Sequence, residues 1–173
     1  MEIPSLLSTE SASSSTERNL AAAEAAVRAY CGWHIAPTVI EDVVLDGSGT
    51  RSLFLKTLRL RDVIAAEVSG VPVDVTTLEW SEAGFLRADG IFPDRLRSVK
   101  LTIQHGFDSA ADVAQIIRDI AGRADNAPGG VVREQAGAVS ITNSLTAPGV
   151  AGGVVLMDHE RRMLDKYRLP GRL

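Results

Sequence analysis

Tyr30-Cys31-Gly32-Trp33-His34-Ile35-Ala36-Pro37 is where the chain changes its structural period. Upstream lies an alanine-rich amphipathic stretch. Ser14 followed three residues later by Glu17 makes a capping-box start, and Leu20, Ala23, Val27, Tyr30 and Cys31 then share one helical face. Gly32 can adopt the left-handed conformation that closes a helix, Trp33 can cover the exposed end, and Pro37 prevents the helix from resuming. Downstream the apolar period becomes two. Val39–Leu45, Leu53 with Leu55, Val63–Val68 and Val71 with Val73 read as strands, as do Thr76–Trp80 and Phe85–Arg87 around Ser81-Glu82-Ala83-Gly84. Val99, Leu101, Ile103 and His105 alternate with Ser98, Lys100, Thr102 and Gln104. The reading is an antiparallel meander with one wet face, in which Asp46-Gly47-Ser48-Gly49 is a hairpin turn and Trp80 a sheet-packing anchor.

The helical period then returns. Ser109 can cap a helix carrying Val113, Ile116, Ile117, Ile120 and Ala121 at the i, i+3, i+4, i+7, i+8 positions. A last helix from about Val155 to Tyr167 places Met157, Glu160, Leu164 and Tyr167 on one face, with Arg161, Arg162, Lys166 and Arg168 toward its C-terminal half. The predicted fold class is α+β: helices near 15–31, 110–124 and 155–167, with an antiparallel β region inserted at about 38–105. At 173 residues the chain reads as a single domain, 1–173. Residues 1–14 are a Ser- and Glu-rich tail and 168–173 a C-terminal tail. Residues 126–153 form a Gly- and Pro-containing arm with too little local core to stabilise itself. Its Val131, Val132, Val139 and Ile141 side chains, with Arg133 beside them, need a neighbour to bury them.

Composition excludes several classes. Hydrophobic residues make up 45% of the chain but aromatics only 5%, so the core is aliphatic. With 22 acidic against 18 basic residues the net charge is −4, unsuited to holding nucleic acid through its phosphates. The one cysteine rules out an intrachain disulfide and a cysteine-rich metal site. No apolar run approaches the ~20 residues that span a bilayer, and no basic region precedes Leu6-Leu7 as a signal peptide requires. These features describe a soluble protein made in the cytoplasm, without membrane partners.

Residues that could carry chemistry lack their partners. Cys31 needs a base and an electropositive setting to act as a nucleophile; three residues from His34, it reads as packing. His105 shares a face with three aliphatic residues and has no second or third metal ligand at suitable spacing, so it reads as a hydrogen-bonded core or boundary histidine. Glu79 and Glu82 flank a wet turn, whereas a general acid needs burial. Asp46-Gly47-Ser48-Gly49 lacks the Gly-Lys-Ser/Thr of a phosphate loop and the alternating carboxylates of a calcium loop. No catalytic residue, cofactor or metal is assigned. A small intracellular hydrolase or nucleotide-binding enzyme is the alternative reading.

The Ala-rich helix ending in Cys-Gly-Trp-His-Ile-Ala-Pro is followed in order by Trp80-Ser81-Glu82-Ala83-Gly84, His105-Gly106-Phe107-Asp108 and the segment from Glu160 to Pro170. This ordered set, spanning roughly Ser15 to Pro170, resembles the head–tail connector (adaptor) proteins of long-tailed bacteriophages. The resemblance implies a structural virion protein of the neck, made in the host cytoplasm, that forms a homo-oligomeric ring, a dodecamer matching the portal. It implies a portal protein on one side and a tail-side neck or tail-terminator protein on the other, with DNA passing through the lumen unbound. In such a ring the arm, with Val131, Val132, Arg133, Val139 and Ile141, meets the neighbouring subunit. The C-terminal Lys166, Arg168 and Arg172 are then candidate portal contacts.

Overall fold

A computed structural model describes residues 14–126, 133–136, 139–142 and 154–171. The fold is α+β, and the chain divides into two compact units. Among the described residues, one unit holds 33–109 and 169–171, and the other holds 14–32 with 110–126, the two short strands and 154–168.

The helical unit begins with α1, Ser14–Cys31. Ala23, Val27 and Cys31 are buried along the anticipated stripe, and Leu20 and Tyr30 are half-buried at its borders. Gly32 ends the helix at φ 83°, its N–H bonded to the Arg28 carbonyl at 2.8 Å. Helix α2, Ala111–Asn126, packs against α1 with Val113, Ile116, Ile117, Ile120 and Ala121 all buried. Asn19 Nδ2, near the start of α1, donates to Asp125 Oδ1 near the end of α2 at 2.6 Å.

The last helix departs from its expected span of 155–167. Helix α3 covers Asp158–Leu164, and a 3-10 turn over Asp165–Tyr167 completes it. Its start is set by a buried carboxylate. Glu160 is 3% exposed, and its Oε2 accepts the Met157 N–H at 2.8 Å, fixing Met157 as the cap. Arg123 of α2 grips both Glu160 oxygens at 2.7 and 3.0 Å and also donates to the Val155 carbonyl at 3.1 Å. One fork thus clamps α3 and the chain before it onto α2. Two four-residue strands, β8 (Arg133–Ala136) and β9 (Val139–Thr142), pair antiparallel as a separate two-stranded sheet.

In the β unit the single meander is replaced by two sheets. The first has the order β1 (Val39–Leu45), β7 (Val99–His105), β3 (Leu60–Val68), β4 (Val71–Val73). The second has the order β2 (Ser52–Phe54), β6 (Phe85–Arg87), β5 (Glu79–Trp80). β1 pairs with β7 rather than β2, so Asp46-Gly47-Ser48-Gly49 carries the chain from one sheet to the other and is not a hairpin turn. Only a long-range partner makes that difference, and local turn composition cannot report it. β3 starts three residues earlier than its apolar run suggested because Leu60 pairs with His105, and two register shifts absorb the extra length. The stretch expected as strand from Thr76 instead opens with a 3-10 turn, Val75–Thr77, because the Asp74 carboxylate accepts the Thr76 N–H at 3.0 Å. The core of this unit is Leu53, Leu55, Leu60, Val63, Leu86, Phe92, Val99, Leu101 and Ile103 with their neighbours. Trp80 is on the face shared by Leu53 and Leu86 yet stays 38% exposed on the end strand, so it anchors little.

The chain enters and leaves the β unit through one pinch. The Phe107 N–H donates to the Ile35 carbonyl at 2.9 Å and the Gly106 N–H to the Arg59 carbonyl at 2.8 Å. Gly106 sits at φ 107°, where a Cβ would lie 2.6 Å from His34 Nε2 and 2.7 Å from the Pro37 carbonyl oxygen. Both the conformation and the space therefore require glycine.

Two stability predictions follow from these contacts. Gly106→Ala should cost at least about 2 kcal/mol, read as a lower urea midpoint of Trp33 fluorescence. Glu160→Ala, which strands Arg123 and uncaps α3, should cost about 3 kcal/mol in the same titration.

Candidate functional site

The titratable groups singled out by sequence are spent on structure. Cys31 is fully buried, with Sγ 4.0 Å from the Leu164 carbonyl oxygen. Burial pushes its thiol up to about 11, so it is not a thiolate at neutral pH. His34 is buried, and its Nε2 lies 3.0 Å from the Pro37 carbonyl oxygen. His105 is 3% exposed, with Nε2 2.9 Å from Glu41 Oε2. The two imidazoles meet edge to face at 4.4 Å, and Trp33 contacts both His34 and Phe107. This is a packed aromatic corner around the pinch. Glu82 is two-thirds exposed and ion-paired with Arg59, while Glu79 is exposed on β5. Among the described residues no three His, Cys, Asp or Glu side chains gather as a metal site.

Of the candidate assembly residues, Val131, Val132 and Arg172 lie outside the described residues. Arg133 opens β8, and Val139 and Ile141 lie on β9, where Val139 pairs with Ala136 and Ile141 with Glu134. Lys166 and Arg168 are exposed but engaged within the helical unit. Lys166 Nζ lies 2.9 Å from Asp112 Oδ2 and 4.9 Å from the Tyr167 ring centre. Tyr167 Oη donates to Asp112, 3.0 Å from each carboxylate oxygen. The Arg168 guanidinium stacks 5.1 Å over Tyr30, whose hydroxyl donates to Asp165 at 2.6 Å. The basic end is thus held in a fixed arrangement, with Arg162 and the half-exposed Met163 beside it on α3.

The structure adds surface residues that periodicity did not single out. The open face of the four-stranded sheet was expected to be polar, and Asp42 with Thr102 and Glu67 with Lys100 do form bonded pairs across it at 2.7 and 2.8 Å. Yet Ile40, Val44 and Ile64 are 50%, 42% and 45% exposed. On the second sheet Phe54 is 64% exposed, its ring 5.1 Å from that of Phe85. Leu96 is 83% exposed in the loop before β7. The signal for Phe54 was available, since it alternates with the buried Leu53 and Leu55. For Val44 it was not, because which face of β1 is covered depends on the partner strand.

Burial holds the His105 imidazole below its ordinary 6.5, against the opposing pull of the Glu41 carboxylate. The unfolded chain therefore binds the proton more readily, and stability is lost as pH falls from 6.5 toward the depressed native value. Urea titrations at pH 7.5 and 5.0 should show this loss, and His105→Gln should make the stability difference between the two pH values smaller.

No family model matches the sequence, and no curated protein matches it. Among solved structures, the fold is similar to a chain in a structure described as the neck of a native GTA particle computed with C12 symmetry. The TM-score is 0.61 over 92% of this chain and 85% of that chain, at 13% identity, a likeness of fold across nearly the whole length of both.

Proposed function

We propose that this chain is a structural protein of a phage-like particle's neck, a head-to-tail adaptor whose copies form a ring. The observation that carries this reading is the shared fold with a chain of a GTA particle neck over 92% of the sequence. The twelvefold symmetry of that neck supports a ring of twelve copies. Such a ring is closed by heterologous contacts, one surface of each subunit meeting a different surface of the next. Its neighbours along the particle axis are a portal protein and a tail-side neck or tail-terminator protein. DNA passes through the lumen without specific binding, which the acidic balance of the chain favours. The chain is made in the host cytoplasm and carried in the particle.

In this reading the whole chain acts as one connector, with 1–14 and 168–173 as tails and 126–153 as an arm. The arm, through Val131, Val132, Arg133, Val139 and Ile141, contributes subunit contacts, and Lys166, Arg168 and Arg172 face the portal. The role is non-enzymatic. A cysteine hydrolase would need a reactive thiolate, and the buried Cys31 thiol does not provide one.

Particles produced without this chain should accumulate as DNA-filled heads and free tails, visible by negative-stain microscopy. Complementation with a chain lacking residues 131–146 should yield a soluble subunit that does not restore joined particles. Normal joining in either case would overturn the proposal.

A further inference from the structure

Hydrogen-bond parity in the two sheets identifies which strand edges are open. The Ser69 N–H donates to the Ser98 carbonyl at 2.7 Å and the Gly106 N–H to the Arg59 carbonyl at 2.8 Å, both across the β3 side of β7. Even-numbered residues of β7 therefore direct their backbone groups to β3, and odd-numbered ones to β1. In the register Val99↔Leu45 through His105↔Val39, the groups used on β1 are those of Val39, Glu41, Val43 and Leu45. Those of Ile40, Asp42 and Val44 point outward.

The same argument applies to β2. The Ala88 N–H bonds the Arg51 carbonyl at 2.9 Å and the Leu55 N–H bonds the Gly84 carbonyl at 2.8 Å, so odd-numbered residues face β6. Ser52 and Phe54 face away. The outward groups of Ser52 are occupied by the Ser48 and Thr50 hydroxyls. Those of Phe54 take no partner among the described residues.

β1 and β2 each end their sheet, and both line one groove of about 530 Å³. Val44 and Leu45 contribute from β1, and Ser52, Leu53 and Phe54 from β2. The groove thus combines the unused edge of β1 and the free backbone groups of Phe54 with two exposed apolar side chains, Val44 and Phe54. That combination recognises an extended backbone: main-chain bonds hold it, and alternate side chains pack on the apolar groups. The far edge of the first sheet is a poor competitor, because Pro72 in the middle of β4 has no N–H to offer a further strand.

One element of this chain has the complementary need. β8 and β9 form a two-stranded sheet, and among the described residues neither outer edge pairs with another strand. An isolated two-stranded hairpin is marginal in water and gains stability from a third strand.

We propose that the groove between β1 and β2 receives the β8–β9 strand pair of a second copy, which adds edge-on to β1 through Val44 and packs against Phe54. The contact joins two different surfaces of the same chain, the heterologous kind that a closed ring uses. It rests on the ring reading above and specifies the receiving surface.

The test replaces the exposed Phe54, whose ring has room in solvent for a larger group, by the photo-cross-linker p-benzoylphenylalanine in the full chain and irradiates purified particles that contain it. The expected product is a covalent dimer whose cross-link maps by mass spectrometry to residues 133–142. A cross-link within one copy, to another part of a second copy, or to a different protein overturns the groove assignment and leaves the ring standing. Absence of the chain from particles defeats both. A second variant, Val44→Pro, removes an outward N–H that the β1–β7 ladder does not use, and proline is tolerated at such edge positions. Its isolated subunit should melt as the parent does, while the Phe54 cross-link and incorporation into particles are lost. Incorporation at the parental level would overturn the proposal.

Discussion

The β unit closes on itself where its two ends are tied, and the rest of the chain's organisation hangs on that tie. Ile35 and Phe107 are joined by a backbone hydrogen bond, Gly106 clears the room for His34 and Pro37, and Thr38 Oγ1 donates to the Gly106 carbonyl at 3.1 Å. Ile35, a β-branched residue, is held at φ 69°, a conformation it adopts only under constraint. It is also fully buried, so packing and the Phe107 bond together maintain it. Arg61 reinforces the exit by pairing with Asp108 at 2.6 Å. Because of this tie, two sheets can be inserted between α1 and α2 while those helices still pack on each other.

Much of this was legible because it is local. The α1 stop at Gly32 follows from residue chemistry alone, and the α2 stripe and the alternation of β7 are simple periodicities that burial confirms residue by residue. What was not legible depends on distant partners. The sequence near Asp46 reads as a hairpin, but β1 finds β7 far along the chain. Thr76 reads as strand until the Asp74 carboxylate is seen to cap a turn. α3 looks longer than it is because the choice of its first residue lies with Glu160, whose burial depends on Arg123. Val44 illustrates the same limit for surfaces, since its exposure and its unused backbone groups follow from strand order, which local composition does not encode.

The polar interior is built from matched partners. Buried or half-buried charges are matched in pairs, Arg123 with Glu160 and Arg28 with Glu24 at 2.9 Å, and His34 and His105 are packed against aromatic and carboxylate neighbours. Side chains so committed hold geometry well. Exposed apolar groups, by contrast, are concentrated at strand edges, faces and loop tips, where contacts with other molecules would bury them.

The pairing of α1 with α2 also bears on how the protein is made. Both sheets of the β unit lie between them in sequence, so α1 leaves the ribosome well before its partner exists. At the ~5–20 residues per second of translation, that interval lasts several seconds. During it the apolar stripe of α1 has nothing of its own unit to rest on. A stripe whose largest fully buried members are Val27 and Cys31, on an alanine-rich helix, offers little for promiscuous association, and its helix propensity lets it wait as a nascent helix. Replacing the fully buried Ala23 with leucine would overpack the finished pair and burden the waiting segment. The composition of α1 thus reconciles a discontinuous unit with vectorial synthesis.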